Sequence, residues 1–253
     1  MDDREYHALP RLSASGAKTL LKSPARYRHE RQHPAKPTAA MEFGTMFHAL
    51  VLEPHLFAER YALAPQVDRR TKEGKATFEQ WQADNLGKQA VTGDDWDRVH
   101  AMARAVERSG AGDLMTGGVM EQPILWERDG AQLKAKLDCL TDRVIIDLKS
   151  TSVEDEESLQ RAAWQHGYHI SAAAYIEAAK VATGNDLGKV FVFVHSTAPH
   201  DVIVLEAGEE FIARGRALWD RAVRTYAACV EFDDWPGMAS SFASTSLQPP
   251  RWA

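Results

Sequence analysis

Two neighbouring segments decide the fold of this chain: Leu133-Lys134-Ala135-Lys136-Leu137-Asp138 and Val144-Ile145-Ile146-Asp147-Leu148-Lys149. In the first segment polar and apolar residues alternate, which is the period of a β-strand with one buried face. The second segment ends with the same alternation, so Asp147 and Lys149 share a face. The turn residues Thr141-Asp142 predict that the two strands pair with each other. In such a pair, Asp138 and Asp147 lie within the span of one cation.

The two aspartates and the lysine form a candidate metal site. Two carboxylates held this close repel each other unless a cation or a proton joins them, and hard oxygen ligands suit Mg²⁺ or Mn²⁺. Lys149 reaches the same point and can orient a water or stabilise charge on a phosphate. An Asp-x-Lys triplet alone is common by chance. Here, however, Asp147 ends a nearly continuous apolar strand, where an unpaired acid is costly. In addition, the alternation of the preceding strand places Asp138, nine residues earlier, on the same face as Asp147.

The rest of the chain predicts an α/β fold with a helical N-terminal half. Residues 1–115 are predicted to be mainly helical and residues 116–238 to contain the sheet, and together they form a single domain. The segment 69–75 is charged and is predicted to be a loop before a short helix at 78–86. The Ser- and Pro-rich tail 239–253 is predicted to be flexible. Strands are predicted at 119–127, 132–140, 143–149, 189–196 and 202–206.

Composition and length exclude several classes of protein. Apolar residues make up 44% of the 253 residues and charged residues 26%, as in ordinary globular proteins. No uncharged apolar run reaches 18 residues, which predicts no membrane span, and the first residues do not resemble a signal peptide. Two cysteines, Cys139 and Cys229, cannot supply a disulfide framework or a four-cysteine cluster. We therefore expect a cytoplasmic protein that does not contact a membrane.

The net charge of −6 argues against a surface that binds nucleic acid everywhere, but it allows a local basic channel. Basic residues are concentrated on the predicted N-terminal helices: Lys18, Lys22, Arg26, Arg28 and Arg31. They form either a solvated face or a wall that follows the phosphates of DNA.

Four ordered motifs resemble known nucleases. Asp138 with Asp147-Leu148-Lys149 resembles the PD-(D/E)xK signature, and Gly44 to His48 resembles the Gly-x-x-x-His motif of the RecB-like branch. Two further stretches are similar to the RecE-type exonucleases of phages and prophages, the nuclease domain of exonuclease VIII. They are the opening, from Tyr6-His7 through Leu12-Ser13-Ala14-Ser15-Gly16 to Ser23-Pro24-Ala25-Arg26-Tyr27, and Gly167 to Tyr175. The resemblance covers residues 6–235.

The resemblance implies a restriction-endonuclease-like PD-(D/E)xK core, in which helices flank a central mixed sheet. It also implies the roles of the site residues. His48, Asp138, Asp147 and the Leu148 carbonyl would bind the catalytic metal, and Lys149 would be the catalytic lysine. Glu121, on the first predicted strand, matches an acid that binds a second metal or supports the ligands of the first.

The motif after the sheet departs from the family pattern. Related enzymes carry Gln-x-x-x-Tyr, whereas this chain has Ser171 in place of the glutamine and retains Tyr175. The glutamine contact to DNA that the family pattern implies at this motif is therefore not expected here. The remaining candidates for DNA contact are Tyr168, His169, Tyr175, Lys18, Arg26 and Arg28, of which the aromatic residues are equally compatible with packing in the core.

By resemblance, the activity is hydrolysis of DNA phosphodiesters with Mg²⁺, for which Mn²⁺ substitutes. The expected enzyme is a processive 5′-to-3′ exonuclease that acts on double-stranded DNA ends and leaves 3′ overhangs for recombination by single-strand annealing. The resemblance also implies a homo-oligomeric ring such as a tetramer, and a single-strand annealing recombinase as partner. A phage-encoded protein of this kind acts in the cytoplasm of the bacterial host.

Two alternatives remain. The chain could be another DNA endonuclease, such as a CRISPR-associated RecB-like enzyme. Those enzymes usually hold an iron–sulfur cluster on four cysteines, and two cysteines predict no such cluster here. It could also be a DNA-end-binding module of the same fold that has lost catalysis, against which the intact Asp138, Asp147 and Lys149 argue.

Overall fold

The computed structural model describes Met1 and residues 3–238, so the predicted flexible tail 239–253 lies outside the described residues. The helices are α1 (Asp3–Ala8), α2 (Ala14–Lys22), α3 (Pro24–Gln32), α4 (Ala39–Leu52), α5 (Pro54–Arg60), α6 (Lys72–Asp84), α7 (Gly93–Arg108), α8 (Ala111–Met115), α9 (Glu156–Gln165), α10 (Tyr168–Thr183) and α11 (Glu209–Phe232). The strands are β1 (Tyr61–Leu63), β2 (Gln89–Val91), β3 (Val119–Arg128), β4 (Ala131–Leu140), β5 (Val144–Thr151), β6 (Gly188–His195) and β7 (Val202–Glu206).

Five strands form the central sheet in the order β3-β4-β5-β6-β7. Neighbouring strands are antiparallel except β5 and β6, which are parallel and are connected through α9 and α10. The sheet is therefore mixed and has helices on both sides, which confirms the predicted fold class. None of the helices among the described residues is long and apolar enough to cross a bilayer.

Two apolar layers cover the two faces of the sheet. Leu133, Ala135 and Leu137 of β4 pack with residues of α2, α10 and α11, whereas Ile146 and Leu148 of β5 pack with residues of α4 and α7. Helices α10 and α11 approach closely at Gly215, where a Cβ atom would overlap the carbonyl oxygen of His169. The alternation predicted for β4 is thus observed, with its leucines in the core.

The N-terminal half differs from prediction at two places. Helix α6 begins at Lys72, inside the segment that was predicted to be a loop, because the Thr71 hydroxyl accepts a hydrogen bond from the Gly74 amide at 3.0 Å and caps the helix. The loop prediction is therefore wrong for residues 72–75. Strands β1 and β2 form a small parallel sheet that no alternation in their three-residue sequences could indicate.

Candidate functional site

Three acidic residues, one on each of the neighbouring strands β3, β4 and β5, lie side by side across the sheet. In the β3–β4 register Met120 pairs with Cys139 and Gln122 with Leu137, which places Glu121 opposite Asp138. In the β4–β5 register Cys139 pairs with Ile146, so that Asp138 and Asp147 take the next opposed position. The side chain of Asp138 reaches toward β5, where its Oδ2 accepts a hydrogen bond from the Leu148 amide at 2.8 Å. The hairpin predicted from the sequence therefore brings these acids together.

Glu121 has a backbone conformation that is uncommon for residues other than glycine. Its φ is +50° near the beginning of β3, and the regular pairing of β3 with β4 is interrupted at this residue. Such conformations cost about 1–3 kcal/mol and persist where the surrounding structure holds them, often at functional sites. The conformation turns the Glu121 carboxylate into the site, where Oε2 lies 2.5 Å from the Lys136 ammonium.

Helix α4 supplies His48 from the opposite side. Thr38 caps the helix by accepting a hydrogen bond from the Met41 amide, and Phe47 and Ala49 anchor it in the core. The ring of His48 faces the acids: its Nδ1 is 3.7 Å from Asp138 Oδ2 and 4.0 Å from Glu121 Oε1. Its Nε2 lies 2.7 Å from the Leu148 carbonyl oxygen.

This arrangement fits a divalent cation. His48, Glu121 and Asp138 each offer one ligand atom, and these atoms lie within 4.8 Å of one another. The His48 Nε2–H donates a hydrogen bond to the Leu148 carbonyl at 2.7 Å, which orients the ring so that Nδ1 faces the acids as a possible ligand. Carboxylate and carbonyl oxygens suit Mg²⁺ and Mn²⁺, and the imidazole is compatible with Mn²⁺. Glu121, which the sequence placed less firmly, belongs to this group.

Asp147 has a different environment from the one predicted. It does not belong to the His48 group, because both of its oxygens face lysines. Oδ2 lies 2.8 Å from the Lys189 ammonium, and Oδ1 is in direct contact with the Lys149 ammonium. Burial alone would raise the pKa of this carboxyl, but the two ammonium groups outweigh burial and hold the pKa well below its usual range. Asp147 is therefore ionised at neutral pH.

Lys149 lies among the acids of two strands. Its ammonium contacts Asp147, lies 3.7 Å from Asp138 Oδ2 and donates to the Leu148 carbonyl at 3.1 Å. Burial favours the neutral amine, but the carboxylates of Asp147 and Asp138 outweigh it and raise the pKa of Lys149 above its usual value. Lys149 therefore carries a positive charge beside the candidate metal ligands.

The pKa of Glu121 is shifted in the opposite direction to that of Asp147. Burial raises the pKa of its carboxyl, and the nearby Lys136 ammonium only partly offsets this effect. A carboxyl that is costly to ionise alone gains more from a cation than an exposed one does. This environment also favours metal binding at the His48 group.

The site opens into a cleft of about 580 Å³ between α2, α4, α10 and the sheet. Although the chain is acidic overall, the cleft is lined by seven basic side chains against five acidic ones. The basic residues are Arg11, Lys18, Arg31, Arg60, Lys134, Lys136 and Lys149. Six of them have partners within the protein. Arg11, Arg31 and Lys134 donate to backbone carbonyls, whereas Arg60, Lys136 and Lys149 pair with acids.

Several of the predicted DNA contacts line this cleft. Lys18 projects from α2 and lies 5.3 Å from the centre of the Tyr168 ring, and the Lys149 ammonium lies 6.0 Å from the same centre. Ser171 and Tyr175 also line the cleft, one and two turns further along α10. Burial lowers the pKa of Lys18 to about 8, although the Asp147 carboxylate opposes this shift.

The other predicted DNA contacts do not line the cleft. His169 is buried and its ring stacks on Trp164 with a centroid separation of 4.3 Å, because its position on α10 points away from the cleft face. Arg26 is exposed and pairs with Glu30 at 2.7 Å, one turn along α3. Arg28 pairs with Asp233 at 3.0 Å and packs on Trp235. These three residues lie outside the cleft lining, and their contact with DNA stays a prediction.

Sequence reasoning missed Lys189. This lysine comes from β6, 42 residues after Asp147, and its side chain is fully buried. One signal was present: Lys189 precedes Val190-Phe191-Val192-Phe193-Val194, a strand that is apolar on both faces. A charged residue at such a position requires a buried partner.

Comparison of structures gives the fold. A provisionally named exonuclease from Eubacterium rectale matches with a TM-score of 0.63 and 15% sequence identity, over 98% of this chain and 92% of that chain. A phage-related exonuclease from Haemophilus somnus 129PT matches with a TM-score of 0.37 and 14% identity, over 88% of this chain and 96% of that chain. No curated protein sequence matches significantly.

Comparison with family profiles gives the relationship. The family described as "PDDEXK-like domain of unknown function (DUF3799)" matches residues 13–246, a range that contains His48, Asp138, Asp147 and Lys149. This match confirms the resemblance to PD-(D/E)xK nucleases and supports a nuclease. The chain belongs to the PDDEXK-like family DUF3799.

Proposed function

We propose that this protein is a metal-dependent deoxyribonuclease that degrades linear double-stranded DNA from its ends. The observation that carries the proposal is the convergence of Glu121, Asp138, Asp147, Lys149 and His48 in one open cleft with a basic lining. Lysines offset part of the mutual repulsion of these acids, but Lys136 and Lys149 lie in the open cleft, where a divalent cation can take the place of an ammonium group.

The residues of the cleft divide the chemical work. His48, Glu121, Asp138 and the Leu148 carbonyl would hold the cation, with Asp147 beside them. A divalent cation held there supplies positive charge for the phosphoryl oxygens and helps to ionise a water. Lys149, which lies between Asp138 and Asp147, positions that water or neutralises charge that develops on the phosphate.

Other side chains hold the DNA. Lys18 and Tyr168 lie side by side in the cleft, so that one offers an ammonium group to a phosphate and the other a ring to a base or sugar. Mg²⁺ is the expected cation and Mn²⁺ a substitute. By the RecE-type resemblance, digestion proceeds processively from 5′ to 3′, leaves 3′ overhangs for a single-strand annealing partner, and takes place in a ring such as a tetramer.

The requirement for an end follows from the charge. A chain with a net charge of −6 lacks the broad basic surface needed to bind duplex DNA at any position, so that processivity depends on a short channel or on a ring. A ring loads at an end. Activity should therefore be confined to linear DNA and should fall as salt rises, since each phosphate contact releases counterions.

The test compares three substrates: end-labelled linear duplex, covalently closed circle and single strand, each with Mg²⁺ and with EDTA. We expect loss of the linear duplex with Mg²⁺ alone, release of label that identifies the polarity, and survival of the circle. Nicking of the circle at the rate of linear loss would identify an endonuclease. Absence of metal-dependent cleavage on all three substrates would leave the binding module as the better explanation.

A further inference from the structure

Lys189 is a fully buried lysine that the proposed chemistry does not use. Its side chain has 0% exposure at the second residue of β6. Removing an ammonium group from water costs several kcal/mol unless a partner compensates. Lys189 therefore requires a specific partner, and the identity of that partner indicates its role.

The partner of Lys189 is Asp147. The register of β5 and β6 pairs Ile145 with Lys189 and Asp147 with Phe191, so the lysine lies diagonally across from the aspartate on the same side of the sheet. Its ammonium is 2.8 Å from Asp147 Oδ2. The rings of Tyr175 and Phe191 surround it, with centroids at 4.4 Å and 5.2 Å. These rings attract the cation and keep water away from it.

The two lysines that contact Asp147 differ in access. Lys189 is closed in by the sheet and α10, whereas Lys149 retains 25% exposure and lines the cleft. The Lys189 contact at Oδ2 is therefore shielded from solvent, and the Lys149 contact at Oδ1 lies where a ligand can enter. Asp147 has one oxygen committed to the interior and one directed to the cleft.

We propose that Lys189 is a positioning residue for the metal site. By holding Oδ2 of Asp147, it directs Oδ1 to the cleft, where Oδ1 exchanges the Lys149 ammonium for a divalent cation and leaves Lys149 free for the phosphate. The inference rests on the proposed function only in taking the cation to be the one that the nuclease uses.

The same contacts give Tyr175 a role. Its ring lies over the Lys189 ammonium at 4.4 Å, so the tyrosine of the Ser-x-x-x-Tyr motif forms one wall of the enclosure around this lysine. Tyr175 thereby supports the Asp147 orientation through Lys189, in addition to lining the cleft. Substitution of Tyr175 by Phe keeps this wall.

Without Lys189, the remaining cation at Asp147 is Lys149. A buried carboxylate with one partner left holds that partner more strongly, because the alternative is an uncompensated charge. A metal ion would then have to displace Lys149 at a higher cost. Metal affinity should therefore fall, although removal of a nearby positive charge would by itself increase it.

The experiment titrates the DNA-free full-length protein with Mn²⁺ by calorimetry and follows folding by thermal melting. Lys189→Met removes the charge and keeps an unbranched side chain in the aromatic enclosure. Lys180→Met is the matched control, since Lys180 lies on the surface in an ion pair with Asp186 at 2.8 Å. The double variant with Asp147→Asn tests whether Lys189 acts through Asp147.

We expect Lys189→Met to weaken Mn²⁺ binding at least about tenfold, the scale for losing a group that orients a ligand, and Lys180→Met to bind as the wild type does. In the Asp147→Asn background, Lys189→Met should change the affinity no further. The proposal is overturned if folded Lys189→Met binds Mn²⁺ as tightly as the wild type or more tightly. It is also overturned if Lys189→Met weakens Mn²⁺ binding as much in the Asp147→Asn background as in the wild-type background. If Lys189→Met does not fold, Lys189→Gln replaces it, and failure of both assigns Lys189 a structural role instead.

The titration also separates this inference from the proposed function. A wild-type protein that binds Mn²⁺ but cleaves no DNA contradicts the nuclease and leaves the role of Lys189 intact. A wild-type protein that cleaves DNA, together with a Lys189→Met variant that binds Mn²⁺ normally, contradicts the role of Lys189 alone.

Discussion

Asp147 and Glu177 are two largely buried carboxylates whose partners differ in kind. Glu177 of α10 accepts hydrogen bonds from the indole N–H groups of Trp126 and Trp219, each at 2.7 Å, and from Arg128 at 2.6 Å. Asp147 contacts two lysines, one of which lies at the cleft. Both indoles are buried in the core, where they hold Glu177 away from the cleft. Lys149 retains 25% exposure, so its contact with Asp147 is open to the cleft.

The two sets of partners distinguish a network that stabilises the fold from the cluster at the candidate functional site. The Glu177 network joins α10, β3 and α11, and none of its members lines the cleft. It ties together the helices that support the site. In the Asp147 cluster, Lys149 lies at the cleft and within 3.7 Å of Asp138 Oδ2, and such groups of interacting ionisable residues in a cleft are typical of functional sites. The following predictions test this separation, from the largest effect to the smallest.

Asp147→Asn should abolish cleavage, a larger loss than the roughly 10²- to 10³-fold expected for one electrostatic stabiliser. The substitution keeps the shape of the side chain and removes the negative charge that both lysines require. It should also lower the melting temperature, because the charge of Lys189 then lies buried without a partner. A nuclease assay with matched melting curves measures both effects. Full activity in the folded variant would remove Asp147 from the site.

Lys149→Ala should lower the cleavage rate at least about 10²-fold while Mn²⁺ binding is retained. The lysine places charge at the phosphate and is not a metal ligand, so its loss affects the chemical step. Single-turnover rates at saturating Mg²⁺, together with calorimetric Mn²⁺ titration, separate the two properties. If the folded variant no longer bound metal, the assigned role would be incorrect.

Glu177→Ala should reduce the free energy of unfolding by about 3 kcal/mol, since it leaves two buried indole N–H groups and Arg128 without their acceptor. Glu177→Gln retains an acceptor and should cost less. Urea denaturation measures the loss, and cleavage per folded molecule should stay near that of the wild type. A strong effect of Glu177→Gln on the cleavage rate, with stability unchanged, would contradict the separation of the two regions.

Lys18 should make DNA binding depend on pH. Its pKa is lowered to about 8, so the ammonium is charged at pH 7 and is lost as the pH rises through 8. Affinity for duplex DNA, measured in EDTA, should fall roughly two- to fivefold between pH 7 and pH 9.5, the scale of one exposed charge contact. Lys18→Arg stays charged and should show a smaller change over this range. Identical pH profiles for the wild type and Lys18→Arg would exclude Lys18 as the source of the pH dependence.

Much of the site was predictable because it depends on local periodicity. The alternation in β4 and β5 and the turn between them are short-range features, and they place Asp138, Asp147 and Lys149 together. The helical spacing on α4 likewise presents His48 toward the sheet. The start of α6 was not predictable in this way, because its cap, Thr71, lies within a charged segment.

Assignments that depended on the direction of a side chain were less reliable. Tyr168 and His169 are adjacent in the sequence, yet one lines the cleft and the other packs on Trp164. Helical periodicity says that they point in different directions, but which of them faces the cleft depends on how α10 packs against the sheet. The basic residues of α2 and α3 separate in the same way, with Lys18 inside the cleft and Arg28 outside it.

The sequence by itself determined the strand hairpin, the parity of its acids and the helix that carries His48, because alternation and helical spacing act over a few residues. Only the tertiary structure decided that Lys189 reaches Asp147, since the register of β5 and β6 is set by packing across a connection of two helices. It also decided that Glu121, with φ at +50°, turns toward His48 and Asp138. A strained backbone and a long-range ion pair are stabilised by neighbours that are distant in the chain, and no local pattern records them.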